Sequence, residues 1–129
     1  MGQGMRILVV DDQPSMRAVV CAALREIKGV ELYEAADGAQ AWNSLRSGGI
    51  DLVVSDWMMP IKDGITLLKE IRADEALKAI PVILLTGEGK REQVVEAIKS
   101  GVTDYIVKPF PPLTLVEKVQ RALNRKAPA

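Results

Sequence analysis

Residues 52–60 read Leu-Val-Val-Ser-Asp-Trp-Met-Met-Pro. A short apolar run rich in β-branched residues ends abruptly on an acid, Asp56, and a proline follows within four positions. That is the signature of a buried strand that runs into a loop carrying a carboxylate. The same grammar appears upstream. Arg6 to Val10 is β-rich and stops at Asp11-Asp12. Downstream, Pro81 introduces Val82 to Leu85, which ends at Thr86, and Asp104 to Val107 ends at Lys108. Glu31 to Ala35 supplies one more strand, with Asp37-Gly38 as the turn behind it.

Between these runs the apolar spacing changes to that of helices. Met16, Val20, Leu24 and Ile27 mark a helix from Ser15 that Gly29 stops. Trp42 and Leu45 mark a second, ended by Gly48-Gly49, and Ile65, Leu68 and Ile71 a third. Val94, Val95 and Ile98 lie on a fourth helix, stopped by Gly101. Pro111-Pro112 open a last helix bearing Leu115, Val116, Val119 and Leu123, closed by Arg125 and Lys126. Five strand–helix repeats predict an α/β fold with a parallel sheet covered on both faces. Residues 1–129 read as one domain, without a linker or an output module.

Composition narrows the function. The chain has 129 residues, 48% apolar and 26% charged, with a formal net charge of zero. No global field draws it to nucleic acid or to an anionic membrane. Its apolar runs are too short to span a bilayer. The single cysteine, Cys21, excludes an internal disulfide and reads as a small core residue. With no secretory leader pattern, this predicts a cytoplasmic protein. The chain has no histidine, which excludes a Ser-His-Asp triad, a Cys-His pair and a His-ligated zinc. Any phosphohistidine must come from another protein.

In open α/β sheets ligands bind beyond the carboxyl ends of the strands. Asp11, Asp12, Asp56, Thr86 and Lys108 all fall there. Singly, each has an ordinary reading. An Asp pair after a strand suits a helix N-cap, Thr86 before Gly87 suits a turn, and Lys108 before Pro109 suits an exposed lysine. Four strand ends delivering polar groups in one register point instead to a shared site. Neighbouring carboxylates repel unless a cation intervenes, and hard oxygen ligands at a partly open site suit Mg²⁺. A carboxylate can accept a phosphoryl group, and the transferred group needs positive charge around its oxygens. Lys108 and Mg²⁺ would supply that charge, and Thr86 a hydrogen bond.

The runs Val9-Val10-Asp11-Asp12, Ser55-Asp56-Trp57-Met58-Met59-Pro60, Asp63-Gly64, Thr86-Gly87 and Lys108-Pro109-Phe110 resemble those of bacterial two-component response-regulator receiver domains. The resemblance covers essentially the whole chain and is strongest to the single-domain chemotaxis members. It implies a flavodoxin-like, doubly wound (βα)5 fold with strand order 2-1-3-4-5. It implies Asp56 as phosphoacceptor, Asp12 as a direct Mg²⁺ ligand, Asp11 acting mainly through water, and a further ligand in the Met58 carbonyl. Lys108 would pair with Asp56 and then with the phosphoryl group. Thr86 would move to that group, and Tyr105 would turn into the space it leaves. The Lys108-Pro109 bond is expected cis.

The implied partners are a CheA-like histidine kinase as donor, a flagellar motor switch protein or another target, and a dedicated phosphatase. The protein itself would be a monomeric signalling switch rather than an enzyme. The expected readout face carries Val94, Ile98, Tyr105, Val107, Phe110, Lys118 and Arg121. A phosphorelay intermediate would share the same chemistry. An aspartyl-nucleophile phosphatase would need an acid two places after Asp56, where Met58 stands. A flavodoxin-like electron carrier would need a phosphate-cradling loop where Asp11-Asp12 stand. The chain departs from the chemotaxis pattern at Gln13, Met58, Gly87 and Gly89.

Overall fold

A computed structural model describes residues 4–87 and 91–126, so Gly89 lies outside the described residues. Strands β1 (Met5–Val10), β2 (Val30–Ala35), β3 (Leu52–Asp56), β4 (Val82–Thr86) and β5 (Asp104–Val107) alternate with helices α1 (Pro14–Leu24), α2 (Gly38–Arg46), α3 (Gly64–Ala73), α4 (Arg91–Lys99) and α5 (Pro112–Lys126). The strands form one sheet in the order β2-β1-β3-β4-β5, and every neighbouring pair is parallel.

Strand alternation splits the core in two. Ile7, Val9, Leu52, Val54, Ile83 and Leu85 pack with Val20, Cys21 and Leu24 of α1 and with Leu115, Val119 and Leu123 of α5. Leu8, Val10, Val53, Val82 and Leu84 point the other way, against Ala41 and Leu45 of α2, Leu67, Leu68 and Ile71 of α3, and Ala97 of α4. Successive side chains on a strand face opposite sides, so a strand covered on both faces is apolar throughout. That is why the central strands show no alternation of polarity. Cys21 is a buried core residue.

Two helix starts are built locally. Asp37 caps α2 by accepting the Gln40 N–H at 2.8 Å, and Asp63 caps α3 by accepting the Thr66 N–H at 2.9 Å. Each such cap contributes about 1 kcal/mol. Asp37-Gly38 is therefore less a free turn than the entry to α2.

The first helix is shorter than its spacing predicts. It ends at Leu24, and Ile27 lies in the following turn. There the Glu26 N–H bonds Ala23 O at 3.2 Å and the Ile27 N–H bonds Leu24 O at 3.0 Å. Three-residue turns keep positions i and i+3 on one side, so Leu24 and Ile27 stay on the sheet face after the α-helix has ended. Ile27 is accordingly only 9% exposed. Gly29, at φ +84°, reverses the chain into β2 rather than stopping a helix.

Candidate functional site

Register brings the strand ends together. Val10 pairs with Ser55, Asp56 with Leu85, and Thr86 with Val107. The next residues along β1 and β5, Asp11 and Lys108, therefore flank Asp56 and Thr86. Backbone bonds carry the ladder to this edge: the Asp11 N–H bonds Ala35 O at 3.1 Å, the Trp57 N–H Leu85 O at 2.8 Å, and the Lys108 N–H Thr86 O at 2.7 Å. Arg17 of α1 braces the first acid loop. Its Nη1 donates to the Asp11 carbonyl at 2.6 Å while its Nε pairs with Glu34 of β2 at 3.0 Å.

Asp11, Asp12 and Asp56 each place a carboxylate oxygen within 4.8 Å of the others. Asp11 is 1% and Asp56 7% exposed, while Asp12 is open to solvent. Neither acid of the pair caps α1. Gln13 holds the N-cap position and makes no side-chain cap bond. Asp11 Oδ1 accepts the Gln13 N–H at 2.9 Å, and its buried Oδ2 has no hydrogen-bond partner among the described residues. Burial holds the Asp11 carboxyl above the usual carboxylate range. The Gln13 bond and Lys108 oppose that rise, and the charges of Asp56 and Asp12 add to it.

Lys108 Nζ donates to Asp56 Oδ1 at 3.0 Å. It offsets one of the three negative charges, and a divalent cation would match the other two. A hard divalent cation with oxygen ligands fits this donor set, and a buried Asp11 Oδ2 without a hydrogen-bond partner among the described residues supports the fit.

The loop behind Asp56 is closed at its α3 end. The Gly64 N–H bonds Trp57 O at 2.8 Å, and a Cβ at Gly64 would collide with the Asp56 carbonyl oxygen. Only glycine lets α3 begin this close to the end of β3. Lys62 pairs with Glu70 and lies over the Trp42 ring, 5.5 Å from its centre. Met58, at 70% exposure, leaves its side chain in solvent.

Thr86 is buried, and its hydroxyl donates to Gln93 Oε1 of α4 at 3.2 Å. Tyr105 is half-buried, and the Lys108–Pro109 bond is cis. The residues expected on the readout face divide. Ile98 is 62% exposed, Val107 and Arg121 are exposed, and Val94 is half-buried. Phe110 packs in part against the core, and Lys118 is tied to Asp104 at 3.0 Å. Val95, absent from that expected set, is 40% exposed beside Ile98. Gln93, Val95 and Arg17 carry no sequence signal of their own, because a polar or apolar residue on a short helix has many equivalent uses.

A doubly wound sheet with three acids, a threonine and a lysine at its carboxyl edge is the frame of a receiver domain, and the chain belongs to the response regulator receiver domain family, whose description fits residues 7–120. It is similar to the chemotaxis protein CheY-3 of Vibrio cholerae, at 48% identity over 125 residues, 97% of this chain and 96% of that one. It is also similar to the chemotaxis protein CheY of Pseudomonas aeruginosa, at 45% identity over 94% of this chain and 98% of that one. Among solved structures, it resembles the receiver domain of a P. aeruginosa sensor histidine kinase that has a magnesium ion coordinated in its active site cleft. That likeness has a TM-score of 0.84 and 33% identity, over 94% of this chain and 98% of the other. The chain is thus a phosphorylation-activated two-component response regulator with chemotaxis proteins among its relatives. Among the described residues no helix is long and apolar enough to cross a membrane.

Proposed function

We propose that Asp56 accepts a phosphoryl group from the phosphohistidine of a CheA-like histidine kinase, and that the phosphorylated chain regulates a flagellar motor switch protein. The observation that carries this reading is the 3.0 Å contact of Lys108 with Asp56 inside the three-carboxylate group. The chemotaxis assignment draws on the two curated relatives, both chemotaxis proteins.

In this reading an Asp56 carboxylate oxygen attacks phosphorus. The P–N bond breaks, and its electron pair leaves with the donor's imidazole. Asp11, Asp12, Asp56 and the Met58 carbonyl would hold Mg²⁺, which supplies positive charge toward the phosphoryl oxygens when bound. Lys108 passes from the Asp56 carboxylate to a phosphoryl oxygen. The Thr86 hydroxyl donates to another, and Tyr105 fills the space that Thr86 vacates. Phosphorylation adds a hydrogen bond to one of two existing states and so shifts their populations. The readout is the face of α4, β5 and α5, where Ile98 and Val107 stand exposed.

A phosphorelay role is the second reading, favoured by the likeness to a receiver domain from a sensor histidine kinase. A small phosphodonor with Mg²⁺ tests the chemistry. Intact mass should rise by one phosphoryl group, and an adduct that persists in Asp56→Asn would sink the assignment. Capture of partners by the beryllofluoride-treated protein, against Asp56→Asn, separates a motor protein from a relay partner.

A further inference from the structure

We propose that Gln93 is a positioning residue that holds the Thr86 hydroxyl in the unphosphorylated protein. This rests on the reading of Thr86 as the group that senses the phosphoryl oxygen. The Thr86 hydroxyl donates to Gln93 Oε1 at 3.2 Å. A hydroxyl has one proton to donate. That proton cannot serve Gln93 and a phosphoryl oxygen together, so making the second bond breaks the first.

The contest is unequal. A bond to an ionised acceptor is roughly twice as strong as one between neutral groups. Without a phosphoryl group, the amide of Gln93 keeps the hydroxyl; with one, the hydroxyl leaves. Gln93 therefore sets a threshold that the phosphoryl oxygen must exceed.

The position of Gln93 gives the bond a second consequence. It is the third residue of α4, so the bond ties the end of β4 to the first turn of that helix. Packing holds α4 weakly, since Ala97 is its one buried residue among those described. Release of Thr86 thus removes a tether from the helix that presents Val95 and Ile98 to solvent.

Calorimetric titration of the full chain with beryllofluoride and Mg²⁺ tests this. Gln93→Met lacks the acceptor and should raise affinity about threefold to tenfold, the range of one net hydrogen bond. Gln93→Glu offers a charged acceptor and should lower it. In a Thr86→Ala background Gln93→Met should change nothing, and Gln93→Glu should keep only its through-space charge effect. Opposite signs from two near-isosteres, with the gain in Gln93→Met lost and the loss in Gln93→Glu reduced when Thr86 is removed, are not produced by a merely structural role. An affinity that Gln93→Met leaves unchanged, or raises equally without Thr86, overturns the proposal. If Gln93→Met lowers the thermal midpoint, Gln93→Leu takes its place with the same expectations. Undiminished beryllofluoride affinity in Thr86→Ala alone would overturn the role of Thr86 itself, a separate result.

Discussion

Lys108 Nζ lies 3.0 Å from Asp56 Oδ1, although the two residues are 52 positions apart and their strands are separated by β4. Both side chains are largely buried, at 20% and 10% exposure. A lysine held this way balances a carboxylate before any phosphoryl group arrives, and it is already in place to meet one. The pair also sets the charge of the site, because it leaves two of three acids unbalanced.

Removing Lys108 should therefore separate charge from signalling. Lys108→Ala makes the site more negative, so Mg²⁺ affinity should hold or rise slightly. The change induced by beryllofluoride should fall on the order of tenfold, because the phosphoryl oxygens lose a charged donor. Fluorescence of Trp57, which adjoins Asp56, reads both. Equal loss of metal binding and response would indicate misfolding instead.

Asp12 is exposed and makes no cap, so the fold should tolerate its loss. Asp12→Ala should weaken Mg²⁺ binding on the order of a hundredfold and change stability by less than about 0.5 kcal/mol. A metal titration paired with urea unfolding checks both halves. Unchanged Mg²⁺ affinity would remove Asp12 from the ligand set.

Asp11 should make metal-free stability depend on pH in an unusual direction. Burial, with help from Asp56 and Asp12, holds its carboxyl above its ordinary value. The folded state then binds the Asp11 proton more tightly than the unfolded chain does. Its contribution to stability is fully present below the unfolded value and is lost as pH rises through the folded value. Asp11→Asn should therefore stabilise the Mg²⁺-free protein at neutral pH, and the gain should vanish toward acid pH. Urea midpoints from neutral to acid pH measure it, and a gain that grows on acidification would contradict the sign.

At the far end of the sheet, Arg72 should matter for stability alone. Its Nε donates to Gly101 O at 2.8 Å, and its Nη1 to Ile80 O at 2.6 Å and Lys78 O at 3.1 Å. One guanidinium thus joins the end of α3 to the entries of β4 and β5. Arg72→Met should cost about 2–3 kcal/mol, since carbonyls lose their donors and methionine replaces only the stem. Chemical unfolding would show it, with Mg²⁺ affinity unchanged. A loss under about 0.5 kcal/mol would mean that water replaces the clamp.

Much of the fold was legible because its signals are local. Asp56, Asp11, Thr86 and Lys108 each end an apolar run, and the strand boundaries fell within a residue of those observed. Ile27 misled for a physical reason: a tight turn preserves the i+3 spacing that announces a helix. Lys118, expected on the binding face, is also paired with Asp104. An ion pair 14 residues apart leaves no periodic trace.

The sequence by itself determined the alternation of strands and helices, the polar residues at four of the five strand ends, and the absence of histidine chemistry. Those follow from periodicity and composition, which act over a few residues. Only the tertiary structure decided that Asp11 Oδ2 would be buried without a partner among the described residues, that Lys108 would reach Asp56, and that Thr86 would donate its proton to Gln93. Each of these depends on which strands lie side by side and in what register. Burial and distance between groups far apart in the chain are properties of that packing, and local spacing does not encode them.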